Sequence, residues 1–453
     1  MNAIIVGCGK VGTELTESLI RDGHNVSVID NSQEALDKIT DRLDVLPLYG
    51  NGSDIRLLEE AGVEDADLFL AVSTSDETNL LSCVLAKGLS SGISTIARVR
   101  NPIYSKQTPF FIQRLGLSRI INPEQQAANE IYKLLRYPAL SRVDFIEDNK
   151  VVIFTLTVEP EYRFTGKSLM ELKADKHFSV LATAADRDGD IFIPKGDYVL
   201  TEDDIVSFVC PAENLDSFLT GNNIYSVPAK DILIVGGGTI THYLTEKLLD
   251  SYHHIRVIEN DPNKALILSE KFTSVDVVMG DGTDTDFLLK QGLADADALV
   301  MLTGIDEENI IVANSASKCS DARAIAKVDR LDLYDIAREL DIDSLISPKK
   351  ICAETITRYV RAMGDPSDEG LEELFRYMDS RLEISEYIAG DEDESVLNTC
   401  FMDMRLKKDI IVACIIRDGH YIIPDGQSKI LDGDAVVIVT TRTDIADLTD
   451  IVE

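Results

Sequence analysis

The feature that most constrains this chain is a short apolar run feeding a glycine loop, which returns 229 residues later. Ile4-Ile5-Val6 leads into Gly7-Cys8-Gly9-Lys10-Val11-Gly12, and Ile232-Leu233-Ile234-Val235 leads into Gly236-Gly237-Gly238. The same spacing carries Asp30 onto Glu259, and the stripe Val11, Leu15, Leu19 onto Ile240, Leu244, Leu248. With one residue inserted, Gly50-Asn51-Gly52-Ser53-Asp54 matches Gly280-Asp281-Gly282-Thr283-Asp284, and Ser75-Asp76-Glu77-Thr78-Asn79 matches Ile305-Asp306-Glu307-Glu308-Asn309. Later still, Arg187-Asp188-Gly189 with Pro194 matches Arg417-Asp418-Gly419 with Pro424. A register kept from end to end marks duplication of a unit half the chain long.

Within a unit, short apolar runs at Ala3–Val6, Asn25–Ile29, Val45–Tyr49, Leu68–Val72 and Thr95–Val99 alternate with helix-length segments that have polar faces. That alternation predicts a parallel sheet covered by helices on both sides. Asn122-Pro123 and Ser347-Pro348 each put an N-cap side chain before a proline suited to the first helical position, so a connecting helix starts at each. Beyond them the pattern turns to strands, such as Val151–Val158 and Ile205–Cys210, broken by turns. The expected fold is α/β: two tandem Rossmann-like parallel-sheet subdomains, each followed by a crossover helix and a small α+β module. Boundaries fall at 1–122, 123–138 and 139–222, then 229–346, 347–363 and 370–453, with the linker in the aperiodic stretch from Gly221 to Pro228.

A strand, a Gly-x-Gly-x-x-Gly loop, a helix and an acid about 20 residues on form the dinucleotide fingerprint. Gly7 allows the tight turn, Gly9 lets backbone amides approach a pyrophosphate, and Gly12 lets the helix lie close on the sheet. The helix N-terminus adds partial positive charge for the phosphates. Asp30 can accept from ribose hydroxyls and would repel a 2′-phosphate, which favours NAD(H), ATP or ADP over NADP(H). Lys10 either reaches a terminal phosphate or faces solvent; Asn51, beside Gly52, either reads an adenine edge or only makes a turn. Arg98 and Arg100 end the fifth strand, where ligands of open parallel sheets sit. Their guanidinium groups meet a phosphate of their own site or of an adjacent subunit, or else pair with Asp76 or Glu77. Asp76, Glu77 and Asn79 read first as caps of the next helix.

The second loop keeps Gly236 and Gly238 and has Glu259 as ribose acceptor, but Thr241 replaces the third glycine, and Lys327 and Asp329 replace the arginine pair. It is either a second nucleotide site or a purely structural sheet. Thr241 either pushes its helix off the sheet or is taken up by local adjustment.

Composition narrows the function. Lys and Arg total 44 against 79 Asp and Glu, a net charge of −35, which repels phosphate backbones and anionic lipid and so argues against nucleic acid and bare membrane as partners. Acid concentrated at 365–373 and 390–394 reads as solvated surface, with a divalent-cation site or a halophilic adaptation as the alternatives. Seven scattered cysteines with no Cys-x-x-Cys spacing imply reduced thiols, not disulfides or zinc. No cleavable signal and no apolar run of about 18 residues is seen, so a soluble, unexported protein is expected. The six histidines (His24, His177, His242, His253, His254, His420) occupy no motif-fixed acid–base position, and no Gly-x-Ser-x-Gly or His-Glu-x-x-His pattern occurs, so no catalytic residue is assigned.

Taken in order, Ile5-Val6-Gly7-Cys8-Gly9-Lys10-Val11-Gly12, Asp30, the run from Ala71 to Asn79, Ala97-Arg98-Val99-Arg100, Asn122-Pro123-Glu124 and the Arg-Asp-Gly and Pro-x-Gly turns of each small module are those of a family. The chain resembles the cytosolic Trk-type potassium-uptake regulators built from two RCK (regulator of K+ conductance) units, and the resemblance spans essentially all of it. It implies binding of NAD(H) and adenine nucleotides without catalysis. It further implies assembly into a homo-oligomeric ring, with a tetramer favoured, under a membrane-embedded TrkH- or TrkG-like channel subunit at the inner face of the cell membrane. The nucleotide role then falls on the loop Gly7, Cys8, Gly9, Lys10, Val11 and Gly12, on Asp30, Asn51, Gly52, Arg98 and Arg100, and on Gly236, Gly238 and Glu259 of the second unit. Two other readings stay open: an NAD-dependent oxidoreductase, and a regulator of another cation channel or antiporter.

Overall fold

The computed structural model describes every residue except 147–149, 226, 250–253, 341, 363–370, 378–380, 391–392, 394, 443–444, 446 and 453. The acidic stretches at 365–373 and 390–394 fall partly outside the described residues, and His253 wholly so.

The first sheet consists of β1 (Asn2–Val6), β2 (Asn25–Asp30), β3 (Leu46–Tyr49), β4 (Leu68–Ala71), β5 (Ser94–Arg98) and β6 (Arg119–Ile121). All pair in parallel, in the order β3-β2-β1-β4-β5-β6. Four consecutive buried residues in β1 and in β4 reflect a sheet covered on both faces. The helices α1 (Lys10–Arg21), α2 (Gln33–Thr40), α3 (Ile55–Glu60) and α4 (Asp76–Leu89) make the crossovers, followed by α5 (Pro102–Ser105), α6 (Thr108–Leu115) and α7 (Pro123–Arg136). The stripe Val11, Leu15, Leu19 is the buried face of α1. Strand order reverses at β1, which opens a crevice above the carboxyl ends of β1 and β4. The expected strands agree with the observed ones to within a residue at each end; β6, only three residues long, was too short to show as a periodic run.

After α7 the chain forms β7 (Arg142–Ile146), β8 (Val151–Thr157), α8 (Leu169–Leu172), β9 (Leu181–Arg187), β10 (Asp190–Phe192), β11 (Ile205–Pro211) and α9 (Leu215–Gly221). The strands pair antiparallel in the order β10-β9-β11-β8-β7 around Phe154, Phe164, Phe178, Phe208 and Phe218.

The second half repeats this plan. Its parallel sheet runs β14-β13-β12-β15-β16-β17, from β12 (Asp231–Val235), β13 (His254–Glu259), β14 (Asp276–Met279), β15 (Ala298–Met301), β16 (Arg323–Lys327) and β17 (Ser344–Ile346). Its helices are α10 (Thr239–Leu248), α11 (Pro262–Lys271), α12 (Thr285–Lys290), α13 (Asp306–Ala316), α14 (Leu331–Ala337) and α15 (Pro348–Ala362). The final module pairs β18 (Leu371–Tyr377), β19 (Leu382–Ile388), β20 (Ile410–Arg417), β21 (His420–Ile422) and β22 (Ala435–Thr440) in the order β18-β19-β22-β20-β21. The two proline-led helices start where Asn122 and Ser347 were expected to cap them: the Asn122 Oδ1 accepts from the Gln125 amide at 2.9 Å and the Ser347 Oγ from the Lys350 amide at 3.4 Å.

Like groups with like. Met1–Tyr132 and Ala229–Thr357, the two parallel sheets, form one compact body, while Lys133–Pro228 and Arg358–Glu453, the two small modules, form the other. The second body shares a core to which both modules contribute, with Ile153 and Val209 packed among Ile384, Val437 and Val439. No helix among the described residues is long and apolar enough to cross a membrane.

Candidate functional site

In each repeat the glycine loop sits at the carboxyl end of the first strand, at the point where strand order reverses. Gly7 and Gly236 both take φ of +104°, which only glycine adopts readily, and a side chain at Gly7 would meet the Ser73 backbone at 2.8 Å. A Cβ on Gly12 would stand 1.8 Å from the Gly7 carbonyl oxygen, so α1 lies directly on the loop. A Cβ on Gly9 would meet nothing within 4 Å. The loop is therefore packed at its first and third glycines and open at its second.

That opening leads to bare donors. Gly9 N-caps α1 and Gly238 N-caps α10, neither with a side-chain hydrogen bond, whereas Ser32, Asp54 and Ser75 cap α2, α3 and α4. An uncapped helix N-terminus with open approach is suited to an anion. Asp30 is pinned beside it: its Oδ2 accepts from the Cys8 amide at 2.6 Å and its Oδ1 from the Ser32 amide at 2.8 Å. Glu259 repeats the arrangement, accepting from the amides of Gly237 at 2.5 Å and of Asn260 and Asp261 at 2.8 Å. Both oxygens of Asp30 and the Oε2 of Glu259 keep a lone pair for a further donor such as a ribose hydroxyl, while the Glu259 Oε1 already accepts twice. The donor set fits an adenosine nucleotide: amides for phosphate, a fixed carboxylate for ribose.

Thr241 is taken up locally. It is buried, and its hydroxyl donates to the Gly236 carbonyl, the atom that a side chain at Gly12 would strike in the first repeat. The other loop residues lie as follows. Lys10 is exposed, Val11 is buried in the α1 stripe, and the Cys8 thiol is pushed up to about 12 by burial and by Asp30. Asn51 makes a turn by accepting from the Ser53 amide at 3.0 Å, and Gly52 is buried against Val6.

The arginines lie elsewhere than their own loop would suggest. Arg98 and Arg100, with Glu124, line a cavity of about 590 Å3 whose floor is the second loop, from Gly236 to Thr241, with Glu259, Lys327, Asp329 and Lys349. One repeat thus places two cations opposite the glycine loop of the other. Arg100 also meets Asp76, Nε to Oδ1 at 3.5 Å, the ion pair weighed as the alternative, and donates to the Thr74 carbonyl. Arg98 lies 3.6 Å from Glu124, whose carboxyl is pushed up by burial against the opposing pull of Arg98. Arg98 Nε and Glu124 Oε2 are buried without a hydrogen-bond partner among the described residues. Two buried charged groups in one cavity wall with unused valence favour a further polar group there. Lys349, in the same cavity, has its ammonium held below its ordinary value by burial, against the opposing pull of Asp329.

Asp76 and Asn79 correct the capping expectation. Ser75 caps α4, accepting from the Thr78 amide at 3.1 Å, while Asp76 reaches the end of β5, accepting from the amides of Arg100 at 3.0 Å and Asn101 at 2.7 Å. Asn79 accepts from the Ser73 amide and donates to the Arg98 carbonyl. Asp306 and Asn309 make the same bonds in the second repeat. These residues set where Arg98 and Arg100 stand. Their recurrence in both repeats was the available signal. Asn122 likewise does more than cap: it donates to the Tyr243 hydroxyl at 2.8 Å, joining the two repeats.

Two Rossmann-like sheets in one body, each with a glycine loop, a pinned ribose-side acid and an uncapped helix end, define a tandem dinucleotide-binding-fold protein. Family models agree in detail: the TrkA-N domain matches residues 3–123 and 232–348, and the TrkA-C domain matches 153–220 and 390–453. The chain belongs to the TrkA family. It is similar over its whole length to the Trk system potassium uptake protein TrkA of Haemophilus influenzae (27% identical, covering 97% of this chain and 95% of that one). It is also similar to a Trk system potassium uptake protein TrkA homolog of Methanosarcina mazei (29% identical, covering 97% of each). Among solved structures, the GsuK channel bound to NAD shares the fold with a TM-score of 0.66 at 16% identity, covering 97% of this chain and 76% of that one.

Proposed function

We propose that this chain is the nucleotide-sensing regulatory subunit of a Trk-type potassium uptake system, acting without catalysis of its own. On this reading it binds NAD(H), and ATP or ADP, and gates a membrane-embedded TrkH- or TrkG-like subunit from the cytoplasmic face as a homo-oligomeric ring, a tetramer. The full-length relatives carry the potassium-uptake name, and the structural neighbour GsuK is described bound to NAD and, in another structure, to ADP.

The observation that carries the reading is the cavity in which the second glycine loop faces Arg98 and Arg100 of the first repeat. A nucleotide held on one side by loop amides and on the other by those guanidinium groups ties its affinity to the spacing of the two repeats. Ligands that contact two spacings unequally shift the population between them; ligands that contact them equally do not. A terminal phosphate adds charge on the arginine side that a dinucleotide distributes differently, so ATP and NADH favour different spacings. The membrane subunit would respond to that difference.

Calorimetric titration with NADH, NAD, ATP and ADP, counting sites per chain, together with potassium flux through reconstituted partner, tests this. Two sites per chain are expected, with Asp30→Ala removing the first and Arg98→Ala with Arg100→Ala weakening the second and blunting nucleotide-dependent flux. Purified protein with no affinity for any of the four ligands, or flux in the arginine variants with unchanged nucleotide dependence, refutes the proposal.

A further inference from the structure

The two parallel sheets end differently. β3 closes the first sheet and β14 the second, and among the described residues no strand pairs with the outer side of either. The Gly280 amide donates to the Glu259 carbonyl, so by strand alternation Val277 and Met279 turn their own N–H and C=O groups away from β13. Gly50 and Asp30 make the same bond in the first repeat, which turns Pro47 and Tyr49 outward there. Pro47 has no N–H to offer an incoming strand, and proline is a common guard of sheet edges. Val277 stands at the matched position and leaves the second edge open.

The flanking helix changes in step. Where α2 presents Asp37 and Lys38, α11, which packs on β14, presents Leu266 and Ile267, 56% and 61% exposed. Met279 at the end of the strand is 51% exposed. The first edge exposes Leu46 and Tyr49 as well, but keeps its proline and its charged helix; the second has neither. The charge beside the open edge is of one sign, since residues 276–286 carry Asp276, Asp281, Asp284 and Asp286 and no basic residue. Arg256 of β13 offsets Asp276 alone, and α11, counting its cap, brings as many acids (Asp261, Glu270) as bases (Lys264, Lys271).

We infer that the β14 edge takes an extended basic segment of the membrane-embedded subunit as an added strand, its apolar side chains against Leu266, Ile267 and Met279 and its Lys or Arg beside the aspartates. This rests on the potassium-uptake reading and names the surface and the chemistry by which that partner docks. Pairing with the Val277 and Met279 main chain requires an extended segment, and the aspartates require a basic one. The segments that a membrane protein keeps on its cytoplasmic side are those rich in Lys and Arg. A second copy of this chain, at net charge −35, brings the wrong sign. Gly280 and Asp281, next along the chain, line the second nucleotide cavity, so the docked segment abuts that cavity without entering it.

Binding of the full-length protein to the Trk-type membrane subunit of the same genome, reconstituted in nanodiscs, is the test, with thermal melting as the check that each variant is folded. Val277→Pro, and separately Leu266→Asp with Ile267→Lys, install the residues of the first repeat. Each lowers affinity for the membrane subunit at least about tenfold, while NADH affinity and the sedimenting mass of the free protein stay as in wild type. By hydrogen exchange, the Val277 and Met279 amides of wild type gain protection when the subunit is added. Should Val277→Pro melt early, the helix variant and the exchange measurement decide. Wild-type affinity in the folded variants, or unmoved exchange at 277 and 279, overturns the inference and leaves the potassium-uptake reading standing. A loss of sedimenting mass in the variants assigns the edge to self-association and overturns the inference as well. A wild type that does not bind the membrane subunit overturns both.

Discussion

Gly9→Ala separates what the loop does for the fold from what it does for a ligand. Gly9 has φ −69° and ψ −175°, ordinary extended backbone for any residue, and its Cβ would touch nothing within 4 Å. Alanine is a poorer N-cap than glycine by about 1 kcal/mol but stiffens the unfolded chain by a similar amount, so the two effects offset and stability should change by less than about 1 kcal/mol. A phosphate oxygen accepting from the first amides of α1 must come to about 2.9 Å, and a methyl carbon needs about 3.5 Å or more. The ligand is pushed back far enough to lose one charge-assisted hydrogen bond of about 1.5–3 kcal/mol, a weakening of about tenfold to a hundredfold at the first site. Melting without ligand and titration with NADH and ATP measure both sides. A Gly9→Ala protein that melts like wild type and binds like wild type refutes the placement of phosphate on these amides.

Three further outcomes follow from the same geometry. Gly12→Ala should do the opposite of Gly9→Ala, costing about 3 kcal/mol in chemical denaturation, because its Cβ would stand 1.8 Å from the Gly7 oxygen; a loss below 1 kcal/mol would mean α1 is free to slide. Glu14, half-buried, has its carboxyl pushed up from 4.5 to about 7 by burial and then by Glu354. Folding therefore takes up a proton between those values, and stability falls as pH rises through that window, by about 3 kcal/mol before solvent screening and about 1–2 after it. Glu14→Gln should flatten this part of the pH profile and exceed wild type at pH 8, and parallel profiles would exclude the effect. Asp204→Ala should cost about 2–3 kcal/mol, because Asp204 is buried and binds Arg187 twice at 2.7 Å, the Tyr198 hydroxyl and the Thr201 amide, while Arg187 itself stays open to water. A change under 1 kcal/mol by urea titration would show that this ion pair is dispensable.

Legibility followed the range of the interactions. The strands of the first sheet could be placed because each is a continuous apolar run buried on both faces, and the proline-led helices because their caps are local. The second loop's threonine was readable as a departure, but its accommodation was not: that depends on a hydroxyl reaching back five residues to the Gly236 carbonyl. Asp76 looked like a cap because capping is a contact within one turn, while its actual partners at Arg100 and Asn101 lie 24 and 25 residues on, across the top of the sheet. Glu124 and Lys349 gave no sign of lining a cavity, since nothing in a linear pattern reports which face of a crossover helix meets another repeat.

The sequence by itself determined the duplication, the two parallel sheets and the glycine loops with their paired acids, because periodicity, turn chemistry and helix starts are written in neighbouring residues. Only the tertiary structure decided that Arg98 and Arg100 face the other repeat's loop and that each small module packs with its twin. Those facts depend on how the two halves of the chain bury surface against each other. Shape and charge summed over residues more than a hundred positions apart decide that, and no local pattern encodes it.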